Sequence, residues 1–246
     1  MEYLSRLFKH ASRQPSFEYH HHYKKMDITH LMFADGLIVS CKATHASLQL
    51  LMTAFQAFTN STGLKANLDK SNIIFGGDCS HSQQACLDIT GFTEGKLPFR
   101  YLGLPITASR LSKGECTTLV EKITARILVW TSRHISYAGR LVLVNTVLFG
   151  MFNFWAQVFI IPQAVVSQVN QICRNFLWGG DAGYKRVPYI AWETLCTPRK
   201  QGGLGVKNLN LWNIACIAKL VWAITKKKEH LWIHWIHGRY LREKEW

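Results

Sequence analysis

The sequence "ITHLMFADGLIVSC", residues 28–41, decides the fold class and raises the question of function. Two apolar arms, "HLMF" and "LIVS", flank Ala34-Asp35-Gly36. Asp-Gly between such arms is a strong hairpin signal, because glycine tolerates the positive φ that a tight turn needs. We therefore predict a β-hairpin that carries Asp35 at its turn. The pattern leaves open whether this is only a turn or a catalytic turn that has lost a residue.

The first half of the chain predicts alternating helices and short strands. Helical spacing of apolar residues begins at Leu4 and is ended by Pro15, and a second helix after the hairpin is ended by Gly63. A strand is predicted over residues 72–75, a short helix over 81–89, and a further strand in "LPFRYLGLPI". This half is α+β. The stripe of the second helix comprises Leu48, Leu51, Phe55 and Phe58.

The second half predicts mostly helix. Ser112 and Glu115 have capping-box spacing, and the helix behind them has one apolar face. A second helix follows "SYAGR", a third covers about residues 165–177, and a linker with one helix near 213–225 comes after "WGGDAGYKR". We place a boundary near residue 108. The apolar face comprises Leu119, Ile123, Ile127 and Trp130.

The charge of the chain indicates a polyanionic partner. Its 246 residues carry a net charge of +14, which favours nucleic acid or an acidic membrane surface. The alternative is a basic protein whose charge only aids solubility.

The cysteines and histidines do not predict a metal site. The seven cysteines are scattered without a C-x-x-C pair, which favours reduced thiols in an intracellular compartment, nucleus or cytoplasm. The histidine triplet at residues 20–22 predicts a solvated loop. A zinc site is an alternative that the wide spacing of its candidate ligands disfavours; these are Cys173, Cys196, Cys216, His230, His234 and His237.

Residues 141–161, "LVLVNTVLFGMFNFWAQVFII", carry no charge and are long enough to span a bilayer. Asn145, Asn153 and Gln157 interrupt the run, and Pro162 ends it. A buried helix of a large core has the same composition. We therefore expect no membrane partner, and a membrane-anchored protein stays the alternative.

The order of several motifs resembles one family along almost the whole chain. "FADG", "STGLKANLDKSNIIFGG" and "FRYLGLPI" are followed by "ITARILVWTSRHISYAGRLVLVNTVL", "FLWGG" and "GGLGVKNLNLWNIACIAKLVW". This series resembles the reverse transcriptase of plant non-LTR (LINE-type) retrotransposons. The resemblance implies an α+β fold in three parts: the C-terminal part of a polymerase palm over 1–107, a helical thumb over 108–180, and over 181–246 a linker leading toward a zinc-binding-type region.

The resemblance also implies a damaged active site. In that family the hairpin turn reads F/Y-A-D-D, and its carboxylates, together with an Asp on an earlier palm strand, hold two Mg²⁺ ions. Asp35 matches the first carboxylate as the metal ligand, Gly36 replaces the second, and the earlier palm segment is not in this sequence. We expect a fragment of an RNA-directed DNA polymerase that is catalytically inactive and holds no functional Mg²⁺. A palm without its central strands also exposes sheet edges and favours aggregation.

Further positions match the family's functional residues. Lys70 matches a palm lysine proposed to protonate pyrophosphate, and Arg140 matches a thumb arginine near the nucleic-acid duplex. Arg100, Tyr101 and Gly103 match a strand that supports the primer end. The partners implied are an RNA template and a DNA primer, and the oligomeric state stays open. For each position the alternative is an ordinary structural or surface residue.

Basic runs beside aromatic residues fit phosphate attraction combined with base stacking. "HHHYKK" is one such run, and a second follows residue 225. The competing interpretation is a set of solvated charged faces. A non-enzymatic nucleic-acid-binding module is the alternative to the polymerase fragment. The second run comprises Lys226 to Lys228, Arg239, Arg242 and Lys244, with Trp232, Trp235 and Tyr240.

Overall fold

The computed structural model describes residues 1–77, 80–131, 134–183 and 190–241. Helices and small strand pairs are mixed, so the α+β prediction is confirmed. The chain forms two compact units. Unit 1 comprises Met1–Ile106 with Lys227–Trp246, and unit 2 comprises Thr107–Lys226. The assignment of palm, thumb and linker stays a prediction.

Unit 1 is organised around two helices. Helix α1 (Glu2–Ala11) packs on α2 (His45–Thr62), and the two helices bury their predicted apolar stripes against each other. Gly63 ends α2 with φ of 74°, and its N–H donates to the carbonyl oxygen of Thr59. This is the predicted glycine stop. The core beneath the helices comprises Leu4, Phe8, Phe17, Leu51 and Phe58.

The described strands of unit 1 form three separate pairs. Two are antiparallel hairpins, β1 (His30–Phe33) with β2 (Gly36–Val39) and β5 (Phe99–Tyr101) with β6 (Leu104–Ile106). The third is a short parallel pair, β3 (Asn72–Ile73) with β4 (Thr93–Glu94). The single strand predicted in "LPFRYLGLPI" is wrong, because a two-residue turn divides it. Helices α3 (Ser80–Thr90) and α10 (Leu231–Arg239) complete the unit.

Unit 2 is helical in its described part. Helix α4 (Thr117–Thr131) follows the predicted capping box, in which Ser112 N donates to Glu115 Oε2 at 2.6 Å and Glu115 N to Ser112 Oγ at 3.3 Å. The remaining helices are α5 (Tyr137–Leu143), a π-helical turn (Val144–Leu148), α6 (Phe149–Ala156), α7 (Gln163–Gly179), α8 (Trp192–Leu195) and α9 (Leu209–Thr225).

The apolar run of the sequence lies in the continuous helix formed by α5, the π-turn and α6. Over Tyr137–Ala156 it has a mean hydropathy of 1.2, and by length and composition it could cross a membrane. A core helix of a water-soluble protein passes the same test. Here Leu141, Val144, Leu148 and Phe152 are buried within unit 2.

The segment predicted as a linker is more structured than expected. The sequence indicated one helix after residue 181, whereas residues 190–241 contain α8, α9, α10 and a 3₁₀ turn at Arg199–Gln201. The reason is local packing: Trp192 and Leu195 of the short α8 are buried, although four residues are too few to show a helical period.

Candidate nucleic-acid interface

The hairpin that carries Asp35 forms, but its turn differs from the prediction. Phe33 pairs with Gly36, so Ala34 and Asp35 are the two loop residues. The positive φ lies at Ala34, at 51°, whereas Gly36 is an ordinary strand residue at the start of β2. The expectation that Gly36 supplies the left-handed conformation is therefore wrong. Asp35 is exposed at the tip of the hairpin.

The structure brings two of the predicted elements together beside this turn. A β-carbon added to Gly36 would lie 3.3 Å from Tyr101 Cε2 and 3.3 Å from the carbonyl oxygen of Phe33. The hairpin of β5 and β6 thus places the ring of Tyr101 against the backbone next to Asp35. Its own turn is formed by Leu102 and Gly103, which have φ of 52° and 82°. Gly103 is accordingly a residue that its turn requires.

The other predicted residues of unit 1 lie on exposed positions. Lys70 ends a 3₁₀ turn (Leu68–Lys70), which Asn67 caps by accepting from the N–H of Lys70. Arg100 lies on the exposed side of β5.

The donor set around Asp35 does not fit the two Mg²⁺ ions that the family resemblance implies. Two such ions need several anionic oxygens at one place. Among the described residues, no three His, Cys, Asp or Glu side chains are grouped so that they could hold a metal ion. Asp35 is one exposed carboxylate at a hairpin tip. The described residues at this turn therefore do not supply the ligands that two Mg²⁺ ions need.

Two motifs of the second half meet at the C-terminus of α7. Arg140 Nη1 donates to the carbonyl oxygen of Phe176 at 3.3 Å, and Gly180 N donates to the same oxygen at 2.9 Å. The rings of Tyr137 and Trp178 lie 5.3 Å apart beside this contact. Burial raises the pKa of Tyr137, and the charge of Arg140 opposes that rise. "SYAGR" and "FLWGG" are therefore neighbours in the fold.

The geometry gives Arg140 a structural role. Its side chain is half-buried, and its Nε is buried without a hydrogen-bond partner among the described residues. A cation that meets carbonyl oxygens at the last turn of a helix complements the helix dipole. Contact with a nucleic-acid duplex stays a prediction for this residue.

The positive charge is concentrated in unit 2. Unit 2 contains fourteen Lys and Arg residues and four Asp and Glu residues, which gives it a net charge of +10 out of the total of +14. The ion pairs formed by described residues, Arg6 with Glu2 and Lys42 with Glu18, both lie in unit 1. On α4, Lys122 and Arg126 are exposed one helical turn apart. The basic excess of unit 2 is thus available to a polyanion.

Two Lys–Trp pairs flank α9, a feature that sequence reasoning had not identified. Lys207 Nζ lies 5.6 Å from the ring centre of Trp212, and Lys226 Nζ lies 4.9 Å from that of Trp222. Both rings are exposed. The signal was a basic segment that contains two tryptophans, and only Lys226 was assigned to a basic run.

The two predicted basic runs are in contact, and this contact is structural. The rings of residues 20–22 in the first run are tilted against one another with centroids 3.7–5.2 Å apart, and Trp235 Nε1 of the second run donates to the carbonyl oxygen of His22 at 3.3 Å. Residues 20–22 lie in a loop, as predicted, with His21 exposed and His20 and His22 half-buried, and burial lowers the pKa of the two half-buried rings. Arg242 and Lys244 lie outside the described residues.

The described cysteines form no disulfide with one another. Burial raises the pKa of Cys41, Cys116 and Cys196 to about 11 and that of Cys173 to about 12. At neutral pH these side chains are neutral thiols, which is the form that metals bind poorly. Cys79 lies outside the described residues.

A small cavity lies beside the π-turn of unit 2. It is about the size of one water molecule. Asn145, Asn170 and Trp192 line it, and each has a buried polar atom without a partner among the described residues. The cavity is too small for a nucleotide.

Comparison with known proteins gives one informative similarity. No family model matches the chain. A curated Arabidopsis thaliana protein with the name "Putative ribonuclease H protein" is 31% identical over 147 residues, which cover 58% of this chain. The matched part is 24% of that protein, so the chain spans about a quarter of its relative.

Proposed function

We propose that the chain is a nucleic-acid-binding fragment of a retrotransposon reverse transcriptase, with unit 2 as the binding unit. The observation that carries this proposal is the charge of unit 2, +10 with no ion pair among its described residues. Lys and Arg side chains that neutralise phosphates release condensed counterions, which supplies affinity without sequence preference. The relative's name is that of a nucleic-acid enzyme, which supports the same class of partner.

The parts of the chain are assigned in the order of the sequence motifs. RNA template and DNA primer are the partners that the family resemblance implies, and Lys122 and Arg126 of α4 are the exposed cations we expect to meet phosphate. Asp35, Lys70 and the Tyr101 hairpin would be the remains of the polymerase site.

We expect this chain to perform neither polymerisation nor ribonuclease H cleavage. Two-metal phosphoryl transfer requires several carboxylates around two cations. Asp35 is exposed, and the described residues contain no group of three candidate ligands. The second candidate, ribonuclease H activity, rests on the relative's name alone and meets the same obstacle.

The experiment measures binding of the full chain to labelled single-stranded RNA and to an RNA–DNA hybrid at 50 and 200 mM salt. We expect affinity to fall at least about tenfold over this range, as several phosphate contacts require. The paired change Lys122→Gln and Arg126→Gln should weaken binding and flatten the salt dependence. The matched control removes two exposed charges from unit 1, Lys65→Gln and Lys96→Gln.

An equal loss in the unit 1 control would contradict the assignment to unit 2. Absence of binding at low salt would contradict the proposal as a whole. Primer extension with Mg²⁺ or Mn²⁺ that is abolished by Asp35→Ala would show that the polymerase site works.

A further inference from the structure

Helix α9 is apolar around most of its circumference, but only one of its faces is covered. Leu209, Asn213 and Ala223 are buried on the inner face. The opposite face, which we call the outer stripe, comprises Leu211, Ile214, Ala215, Ala218, Val221 and Trp222. Its four large side chains, in chain order, are 65, 66, 54 and 60% exposed. A helix that is apolar on all sides is normally buried on all sides.

The spacing of the outer stripe is that of a helix–helix seam. Leu211 and Ala218, Ile214 and Val221, and Ala215 and Trp222 are each seven residues apart, which is the heptad repeat. Ala215 and Ala218 are small, so a second backbone can approach closely between the larger side chains. A lipid surface or an RNA strand does not require this period.

The charge around the stripe determines the kind of helix that fits. Between Glu193 and Glu229 the chain has seven Lys or Arg residues and no Asp or Glu. Lys219 is exposed on α9, and Lys226 lies over Trp222 at its C-terminus. A second copy of this chain would bring another unit of charge +10 to the same place, which disfavours self-association.

We propose that the outer stripe of α9 is the docking surface for an amphipathic helix of another protein, with an apolar seam and an acidic edge. The seam covers Leu211, Ile214 and Val221. The acidic edge meets Lys219 and Lys226, which are seven residues apart and so lie on the same side of the stripe. This is a helix-in-groove mode of recognition, in which apolar anchors supply affinity and charges select the partner. The inference goes beyond nucleic-acid binding and concerns a different class of partner.

The experiment uses two synthetic 28-residue peptides with Leu at each a and d position of the heptad. One carries Glu and the other Lys at each e and g position. Fluorescence anisotropy measures the binding of each labelled peptide to the full chain. The stripe variant is Ile214→Glu with Val221→Glu, and the control is Leu128→Glu, an equally exposed apolar residue of α4. Circular dichroism checks that each variant retains its helix content.

We expect the Glu-edged peptide to bind at least about tenfold more tightly than the Lys-edged one, a difference of about 1.4 kcal/mol. The stripe variant should lose that binding, and Leu128→Glu should retain it. Equal binding of both peptides, or full binding by the stripe variant, would overturn the proposal.

Three other occupants have their own signatures. A dimer in sedimentation analysis that the stripe variant dissociates would identify a second copy. Loss of oligo(U) binding in the stripe variant, without peptide binding, would identify RNA. Stripe-dependent sedimentation with phosphatidylserine vesicles, again without peptide binding, would identify a membrane surface. Each of these results would overturn the assignment of a helix as the partner. Nucleic-acid binding through Lys122 and Arg126 is tested independently, by the variant that removes those two charges.

Discussion

The ring of Tyr101 lies against the backbone of Gly36, 3.3 Å from the place where a β-carbon at residue 36 would stand. The carbonyl oxygen of Phe33 lies at the same distance from that place. Position 36, which carries a second carboxylate in the family that the sequence resembles, thus has a ring on one side and backbone on the other.

The first prediction is that Gly36→Asp destabilises the chain by about 1 kcal/mol, the usual size of a point-mutation effect. A β-carbon at 3.3 Å from two atoms forces them to move slightly, and the Phe33 oxygen belongs to the paired backbone. The ring can turn away, so Tyr101→Ala should remove part of the cost. The free energy of unfolding in urea, measured for both single variants and the double variant, checks this.

Gly36→Ala is the control, because it adds the β-carbon without the charge. We expect a coupling of about 0.5–1 kcal/mol between positions 36 and 101, as for residues in contact. Strictly additive effects would show that the ring does not restrict position 36. Gly36→Asp should produce no primer extension, since one added carboxylate does not complete the donor set.

The hairpin also shows what sequence reasoning could and could not provide. The two apolar arms around Ala34-Asp35-Gly36 and the glycine stop at Gly63 are local signals, and the structure confirms the elements that they predict. The contact of Tyr101 with Gly36 joins residues far apart in the sequence, so no local pattern encodes it. The turn was misassigned because the register, set by the pairing of Phe33 with Gly36, moved the loop by one residue.

The same limit applies to Arg140. Its sequence position indicated a cation near a helix start, and the family resemblance implied a nucleic-acid contact. The acceptor that its guanidinium meets is a backbone carbonyl of α7, and backbone acceptors leave no mark in side-chain patterns.

The second prediction follows from this contact. Arg140→Gln should lower the thermal midpoint of unit 2 through a loss of about 1–2 kcal/mol, because the Phe176 oxygen loses a charged donor. RNA affinity below the unfolding transition should change little. Lys122→Gln with Arg126→Gln should give the opposite result, weaker RNA binding at an unchanged midpoint, because both side chains are exposed. Loss of RNA affinity in fully folded Arg140→Gln would instead support the predicted duplex contact.

The third prediction concerns pH. His30 Nε2 is 2.9 Å from Ser5 Oγ and Nδ1 is 2.8 Å from Thr29 Oγ1, and the ring lies 5.3 Å from that of Phe8. Burial, and secondarily the charge of Lys9, lower the pKa of His30 below 6.5. The unfolded chain therefore binds the proton first, so stability is complete above about pH 6.5 and falls as the pH drops below that value.

Urea unfolding between pH 8 and pH 5 measures this effect. His30→Gln should make the loss at acid pH smaller, although it lowers stability at pH 8 through the lost hydrogen bonds to Ser5 and Thr29. Burial lowers the pKa of both His20 and His22. The charge of His21 lowers that of His20 further, and the charges of Arg239, His21 and His20 lower that of His22. Both shifts add to the slope in the same direction. A profile that is identical in wild type and His30→Gln would contradict the assignment.

The fourth prediction concerns Asn213, a polar residue that is only 6% exposed. Its Nδ2 donates to the carbonyl oxygens of Ala156 at 2.9 Å and Phe159 at 2.7 Å, and its Oδ1 accepts from Ile161 N at 2.9 Å. One amide thus satisfies three backbone groups where α6 ends, and it fixes α9 beside that end. Asn213→Leu leaves all three groups without this partner and should cost about 2–4 kcal/mol, more than one unsatisfied group would.

Asn213→Asp separates the hydrogen bonds from the packing, because the side chain keeps its size. At pH 7 the carboxylate cannot donate and would face two carbonyl oxygens, so we expect at least the loss seen with Leu. Protonation restores one donor, so the Asp variant alone should regain stability relative to wild type as the pH falls from 7 to 5. Thermal unfolding followed by circular dichroism measures both variants, with exposed Gln171→Leu on α7 as the control. An Asp variant whose deficit is the same at both pH values would show that the carbonyls of Ala156 and Phe159 do not depend on this amide.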